Sequence, residues 1–306
     1  MGFLGKWVES LDYQYNITDA CLMHRSPRAS CTACVESCNY DALTFKNQKP
    51  VINSEKCVEC GHCIAACPVQ AIEGIIPKRN LSGNRLAADD ASVPSLKELL
   101  VYHAKGITSI IASKGELSQA WKDQVCTVNS MLQQLDKNPF QVKVEEGFSE
   151  EMSSCTRRDL FSLLGKEGTS LVKQVTPAKW RFNHKSLDLS AYYPEYQFYE
   201  LDVKLEKCSM CKACETLCPK QCFQITAQSF RIESQTCSGC QLCSRICPEN
   251  AITVTDHISR AVTQTFDVYT KVCKVCKSSY QTCKPNYERC PVCARRKSGY
   301  LDSNVC

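Results

Sequence analysis

The chain has 306 residues, 43% of them apolar, a formal net charge of +5 and 25 cysteines. That length supports two or three compact domains and lies well above the size at which a fold leans on cross-links, which argues against a disulfide scaffold of the small secreted kind. The opening stretch "MGFLGKWVESLDYQY" lacks the apolar core of a secretory signal and the hydroxyl of a myristoylation signal, and no window approaches about eighteen uninterrupted apolar residues. The expectation is a protein kept in the reducing cytoplasm, where clustered thiols are mostly metal ligands and single ones mostly buried small residues.

Along the chain, "YNITDAC" alternates like a short strand and delivers the backbone to Cys21. The following "HRSPRASCTACVESC" places Cys31, Cys34 and Cys38 at the spacing of a metal site, but Arg28 stands where a first cysteine is due. Next, "CVECGHCIAACP" supplies a complete run, Cys57, Cys60, Cys63 and Cys67, spaced C-x2-C-x2-C-x3-C-P. His62 inside it reads as a residue on a solvated loop in preference to a proton-linked group.

Residues 81–150 differ in kind. "SLKELLVYH" sets Leu96, Leu99, Leu100 and His103 at helical spacing, and "GITSIIAS" is a short apolar strand. Trp121, Val125, Val128, Leu132 and Leu135 share one helical face, and "FQVKV" alternates. Helix, strand, helix, strand predicts a small α/β domain, with no C-x-x-C pair, glycine-rich phosphate loop or acid-base constellation; it reads as scaffold or docking surface. Cys126 is expected in its core.

"TRRDLFSLLG" (156–165) superficially matches a twin-arginine signal, but it is internal and no long apolar stretch follows; a helix start with Thr156 as N-cap and Asp159 behind it is the simpler account. Residues 176–203, with Pro177, Pro194 and tyrosines 192, 193, 196 and 199, read as an extended linker, its tyrosines suited to a partner interface or to packing on the module that follows.

That module contains "CSMCKACETLCP" and "CSGCQLCSRICP". An offset of 180 residues superimposes Cys31, Cys34, Cys38, Cys57, Cys60, Cys63 and Cys67 on Cys211, Cys214, Cys218, Cys237, Cys240, Cys243 and Cys247, and "CPVQAI" on "CPENAI". The chain therefore carries two copies of one module. Zinc fits poorly, since zinc sites end at four ligands and these eight cysteines interleave. Ala213, Leu217, Ile225, Leu242, Ile246 and Ile252 would keep water from the sulfurs. "FQITAQSFRIES" and "AITVTD" alternate as short strands.

These runs resemble those of bacterial dicluster ferredoxins, over about residues 15–75 and 203–257. The resemblance implies 4Fe-4S clusters ligated in a crossed scheme, in which the first three cysteines of a run wrap one cluster and the fourth points to the other. Cys208, Cys211, Cys214 and Cys247 then hold one cluster, and Cys237, Cys240, Cys243 and Cys218 the next. In the first copy Cys57, Cys60, Cys63 and Cys38 hold one, and Cys31, Cys34 and Cys67 need a fourth donor. Seven inserted residues would make Cys21 the counterpart of Cys208, with "HRSPRAS" as a loop bulging over the cluster; a three-iron site, ligation by His24 or Asp19, and an empty site compete. Asn39 replaces the proline of the other runs, and Arg25 and Arg28 either sit near the cluster or form a solvated basic loop. With sixteen thiolates on four clusters the net charge falls to about −3, so the formal basicity is no argument for nucleic acid.

The tail holds "CKVC" (Cys273, Cys276) and "CPVC" (Cys290, Cys293), thirteen residues apart, the spacing of a four-cysteine site for zinc or a rubredoxin-like iron. Cys283 lies between them and needs no role. Cys222 falls opposite Ala42 in the repeat and reads as a small packing position, "ARRK" is weak evidence for nucleic acid, and Cys155 and Cys306 have no assignment.

The expected fold is α+β: a first dicluster module (1–80), an α/β insert (81–150), a helix and linker (151–202), a second dicluster module (203–260) and a zinc-ribbon or rubredoxin-like tail (261–306). The whole resembles a polyferredoxin, which implies four 4Fe-4S clusters relaying single electrons between a catalytic subunit, such as that of a formate dehydrogenase or hydrogenase, and an acceptor. On that expectation the chain is no enzyme itself and spans no membrane. The opposing class is an iron-sulfur and zinc module that binds nucleic acid or a protein partner under redox control.

Overall fold

The computed structural model describes residues 15–74, 76–77, 79–89, 93–112, 115–145 and 187–295. The expected helix start at Thr156 lies outside them, as do Cys155 and Cys306. The chain divides into two compact units, Met1–Arg25 with Thr32–Tyr193, and Ser26–Cys31 with Pro194–Cys306.

In the first unit, strand Asn16–Ile17 pairs antiparallel with Ile72–Glu73, so the first and last strands of the cysteine-rich module meet, Ile17 opposite Ile72. Between them lies the hairpin Leu43–Lys46 and Lys49–Ile52. Its two turn residues, Asn47 and Gln48, both have positive φ (50° and 61°), as a two-residue turn matched to strand twist requires. Leu22, Ile64, Ile72 and Ile76 are among the buried apolar residues of this module.

The insert is a four-stranded sheet ordered Leu81–Ser82, Arg85–Ala87, Ser109–Ala112, Gln141–Val144, the first pair antiparallel and the others parallel. Helices Leu96–Ala104 and Gln119–Gln134 connect the parallel strands. Ser95 caps the first by accepting from the Glu98 amide, while the Glu98 carboxylate turns to Arg79 in a buried bidentate pair at 2.8 and 3.1 Å. The second helix buries Trp121, Val125, Val128 and Leu132, as its period predicts. Cys126, however, is exposed; one residue on from Val125 it is turned about 100° from the buried stripe, and the expectation of a core position is corrected.

The expected linker is also corrected. Asp188 caps a short helix, Leu189–Tyr192, in the first unit, and the Tyr193 hydroxyl donates to the Leu100 carbonyl at 2.8 Å. In the second unit Tyr196–Val203 is an eight-residue strand paired antiparallel with Ile252–Arg260, Val203 opposite Ile252. Tyr196, Phe198, Leu201 and Val203 are buried, so apolar burial, not composition, decides this segment.

Phe223–Ile225 and Ser229–Glu233 form the expected hairpin, extended by Thr263–Asp267 to three strands. Leu201, Phe223, Phe230 and Ile232 lie in the core against the cysteine loops. The tail follows as a hairpin, Tyr269–Val272 with Ser279–Thr282, and a short helix, Pro291–Arg295. Among the described residues, no helix is long and apolar enough to cross a membrane.

Candidate metal centres

Three of the cysteine loops share one backbone course. Residues on either side of the middle cysteine have positive φ: Glu59 and Gly61 around Cys60, Met210 and Lys212 around Cys211, Gly239 and Gln241 around Cys240. Alternation between right- and left-handed conformations turns successive N–H groups inward as a concave, anion-binding nest. Non-glycine residues accept this conformation at a cost of about 1 kcal/mol each, which is typical of functional loops. The third cysteine then sits on a short helix, His62–Ala66, Ala213–Leu217 or Leu242–Ile246. The fourth ends it in extended geometry, with φ and ψ near −65° and 115° at Cys67, Cys218 and Cys247.

All four runs converge after that point. Asp41, Gln70, Gln221 and Asn250 each take positive φ three residues past the fourth cysteine. The next amide donates back to the cysteine sulfur: Ala42 to Cys38 at 3.4 Å, Ala71 to Cys67 at 3.2 Å, Cys222 to Cys218 at 3.4 Å and Ala251 to Cys247 at 3.3 Å. Asn39 in place of proline leaves this bond intact. The first loop differs at its start, where Thr32, the counterpart of Lys212, has φ −118°, and in its helix, Ala33–Glu36, which ends one residue earlier than its counterpart Ala213–Leu217.

The thiols cluster in crossed fashion. Cys208, Cys211, Cys214 and Cys247 line one apolar cavity with Val203, Ile225, Phe230 and Ile252. Burial, then Cys208, Cys211 and Cys247 beside it, push the Cys214 thiol up to about 12. Cys243 is raised by burial and by Cys240, Cys218 and Cys214. In the first module Cys63 is pushed up to about 12 by burial and by Cys60, Cys57, Cys34 and Cys38. Cys63, Cys214 and Cys243 thus resist ionising alone, and a soft cation that takes them as thiolates relieves the conflict. Converging sulfurs, inward N–H groups and an apolar wall fit a cluster of iron and sulfide.

Cys21 is raised by burial and feels Cys67 as a neighbouring charge. The strand register supports its role, because Thr18 donates to the Ala71 carbonyl as Lys204 does to Ala251. Counted from those residues, Cys21 comes one position earlier than Cys208, and the extra residues follow it. The alternative donors His24 and Asp19 face each other, 3.8 Å apart. Cys31 falls in the second unit and adds to the field on Cys240, while Arg28 donates to the Ile246 carbonyl at 3.5 Å.

Several neighbours of the sulfurs carry little sequence signal. Tyr15 donates to the Glu59 carbonyl at 2.8 Å, and its ring lies close over Gly74. Tyr199 lies against Gly239, where any Cβ would collide with its ring. Burial first, then Asp256, Cys237 and Cys240, push its hydroxyl up to about 12. His62 is not on a solvated loop: it opens a helix, half-buried, with Nε2 3.2 Å from the Val93 carbonyl.

In the tail, the sulfurs of Cys273, Cys276, Cys290 and Cys293 all lie within 4.8 Å of one another. Sulfurs about 2.3 Å from a tetrahedral metal stand about 3.8 Å apart. Cys276 and Cys290 are separated by 3.8 Å. Amides donate to these sulfurs, Cys290 to Cys273 at 3.2 Å and Cys293 to Cys290 at 3.4 Å. The backbone N–H groups of Cys276 and Cys290 lower the Cys273 thiol to about 6, favouring the form a metal binds. Cys283 is outside the group, its sulfur 3.4 Å from Met210 Sδ.

A family model for a 4Fe-4S dicluster domain matches residues 29–71, and one for a 4Fe-4S binding domain matches residues 230–253. The ferredoxin-type protein NapF of Escherichia coli K12 is 37% identical over 75 residues, 23% of this chain and 44% of the relative. Ferredoxin-1 of Caulobacter vibrioides is 39% identical over 59 residues, 19% of this chain and 48% of the relative. The chain thus spans less than half the length of these relatives. It contains two regions of 4Fe-4S ferredoxin type, and iron-sulfur electron transfer is the function these likenesses support.

Proposed function

We propose that the chain holds four 4Fe-4S clusters and relays single electrons as a subunit or partner of a cytoplasmic oxidoreductase, with catalysis left to that partner. The observation that carries this is the repetition of one N–H to sulfur bond at four cysteine runs, each beside a group of converging thiols. Cys208, Cys211, Cys214 and Cys247 hold one cluster, and Cys237, Cys240, Cys243 and Cys218 a second. Cys57, Cys60, Cys63 and Cys38 hold a third, and Cys21, Cys31, Cys34 and Cys67 the fourth. The clusters supply one-electron chemistry; the chain orients the thiolates, donates amide hydrogen bonds to them and excludes water with Val203, Ile225, Phe230 and Ile252.

Cys273, Cys276, Cys290 and Cys293 hold one zinc, or a rubredoxin-like iron, that fixes the tail hairpin. The first module runs from 1 to 80 and the insert from 81 to 150; the second module extends from strand Tyr196–Val203 to strand Thr263–Asp267, and the tail follows it. A formate dehydrogenase or hydrogenase is a partner of the right class. The test is iron, sulfide and zinc content of anaerobically prepared protein, with a potentiometric EPR titration. About sixteen irons, one zinc and reversible signals are expected; redox-silent clusters would sink the electron-transfer role.

A further inference from the structure

A buried hydroxyl needs an acceptor, and at one point in the second module the protein supplies none. Ser238 follows Cys237 in the loop "CSGC", and its Oγ is buried with no hydrogen-bond partner among the described residues, the cysteine sulfurs around it included. Leaving such a group unpaired costs about 1–3 kcal/mol, so a native fold that keeps one calls for an explanation. Thr236, on the other side of Cys237, is satisfied by the chain itself: its hydroxyl donates to the Lys220 carbonyl at 3.2 Å and lies 3.5 Å from Cys222 Sγ. The ring of Tyr199 lies against Gly239, the residue after Ser238, and so closes an aromatic wall on the same loop.

Equivalent places in the other runs do not repeat the arrangement. At the 180-residue offset Ser238 falls on Val58 in the first module, which has no hydroxyl and is 55% exposed. In the second module's other run the matching residue is Ser209, which lines an open polar cleft with Lys207, Glu249 and Tyr280. Of these three positions, Ser238 alone joins a hydroxyl to burial. A 4Fe-4S cluster offers two kinds of acceptor, its cysteine thiolates and its inorganic sulfides. Because the Ser238 hydroxyl finds no partner among the cysteine sulfurs, the sulfides are the acceptors that remain.

We propose that Ser238 Oγ donates a hydrogen bond to an inorganic sulfide of the cluster held by Cys237, Cys240, Cys243 and Cys218, and that this bond raises the reduction potential of that cluster. One-electron reduction adds negative charge to the cluster, a hydrogen bond to a more negative acceptor is stronger, and the reduced form gains most. The proton stays on Oγ throughout. The inference rests on the four-cluster reading and adds to it a side chain that tunes one cluster and not its counterpart in the first module.

The experiment is a potentiometric EPR titration of the full chain, reconstituted with iron and sulfide, as wild type and as Ser238→Ala, Ser238→Thr and Ser209→Ala. Ser238→Ala should lower the midpoint of one cluster, by on the order of tenfold in its reduction equilibrium or about 59 mV for one electron, at unchanged iron and sulfide content. Ser238→Thr, which keeps the hydroxyl, should recover part of that shift, and Ser209→Ala should move no midpoint. Unchanged midpoints in Ser238→Ala would overturn the proposal, and so would an equal shift in Ser209→Ala, since any loop hydroxyl would then have the same effect. Should Ser238→Ala fail to assemble the cluster, Ser238→Gly is titrated in its place; loss of the cluster there too would overturn the proposal, because a group that only tunes a potential is not needed for assembly. Wild-type protein that takes up no cluster iron removes the four-cluster reading and this inference with it, whereas full iron content with unmoved midpoints removes the inference alone.

Discussion

The first and second cysteine modules form the same amide-to-sulfur bond after each fourth cysteine, yet enter their first loops differently. The second passes through two left-handed residues, Met210 and Lys212, whereas the first arrives from a short helix, Leu22–Arg25, and an added loop, with Thr32 right-handed. The exit of a run is thus the invariant part of the design and its entrance the variable part. The fourth cysteine of three runs ends a short helix in one fixed backbone geometry, whereas the path to the first cysteine differs in length.

Cysteine substitutions test this division most strongly. Cys247→Ser should remove one cluster and its iron, whereas Cys21→Ser should convert one cluster to a three-iron form or lose it; iron, sulfide and EPR signals distinguish these outcomes, and four unchanged cubanes in Cys21→Ser would refute its role as a ligand. Next in size is Gly239→Ala, which meets the Tyr199 ring at φ 68°. It should cost about 2–3 kcal/mol in thermal unfolding of the holoprotein, more than Gly61→Ala, where Pro77 Cδ stands 3.0 Å from the added carbon. Tyr15→Phe, which removes the bond to the Glu59 carbonyl, should cost about 1 kcal/mol by the same measurement. Asn39→Pro, which gives the first run the proline of the others, should change stability by less than about 1 kcal/mol, and a larger loss would mean that this turn differs.

Covalent spacing made the candidate ligands legible. C-x2-C-x2-C-x3-C and the tail knuckles are local patterns, and so are the apolar stripes of Leu96–Ala104 and Gln119–Gln134. Partners distant in sequence were not legible. Tyr196–Val203 becomes a strand only because Ile252–Arg260 lies beside it, whereas the alternation of "YNITDAC" already marked the strand Asn16–Ile17. The same limit hid Tyr15 over Gly74, His62 against Val93 and the contacts of Cys222 and Cys283, since each depends on a chain segment brought back by the fold. Cys126 went the other way, one position off a readable stripe.

The pairing of first with last strand has a consequence for how such a chain arises. Asn16–Ile17 lies beside Ile72–Glu73, and Tyr196–Val203 beside Ile252–Arg260, so each module's entry and departure points are neighbours. A segment whose ends meet can be copied and spliced into a host at a single surface point without prising its neighbours apart. Duplication of the module, and accretion of an α/β insert and a four-cysteine tail around the copies, then requires only connectors and no redesign of either interior.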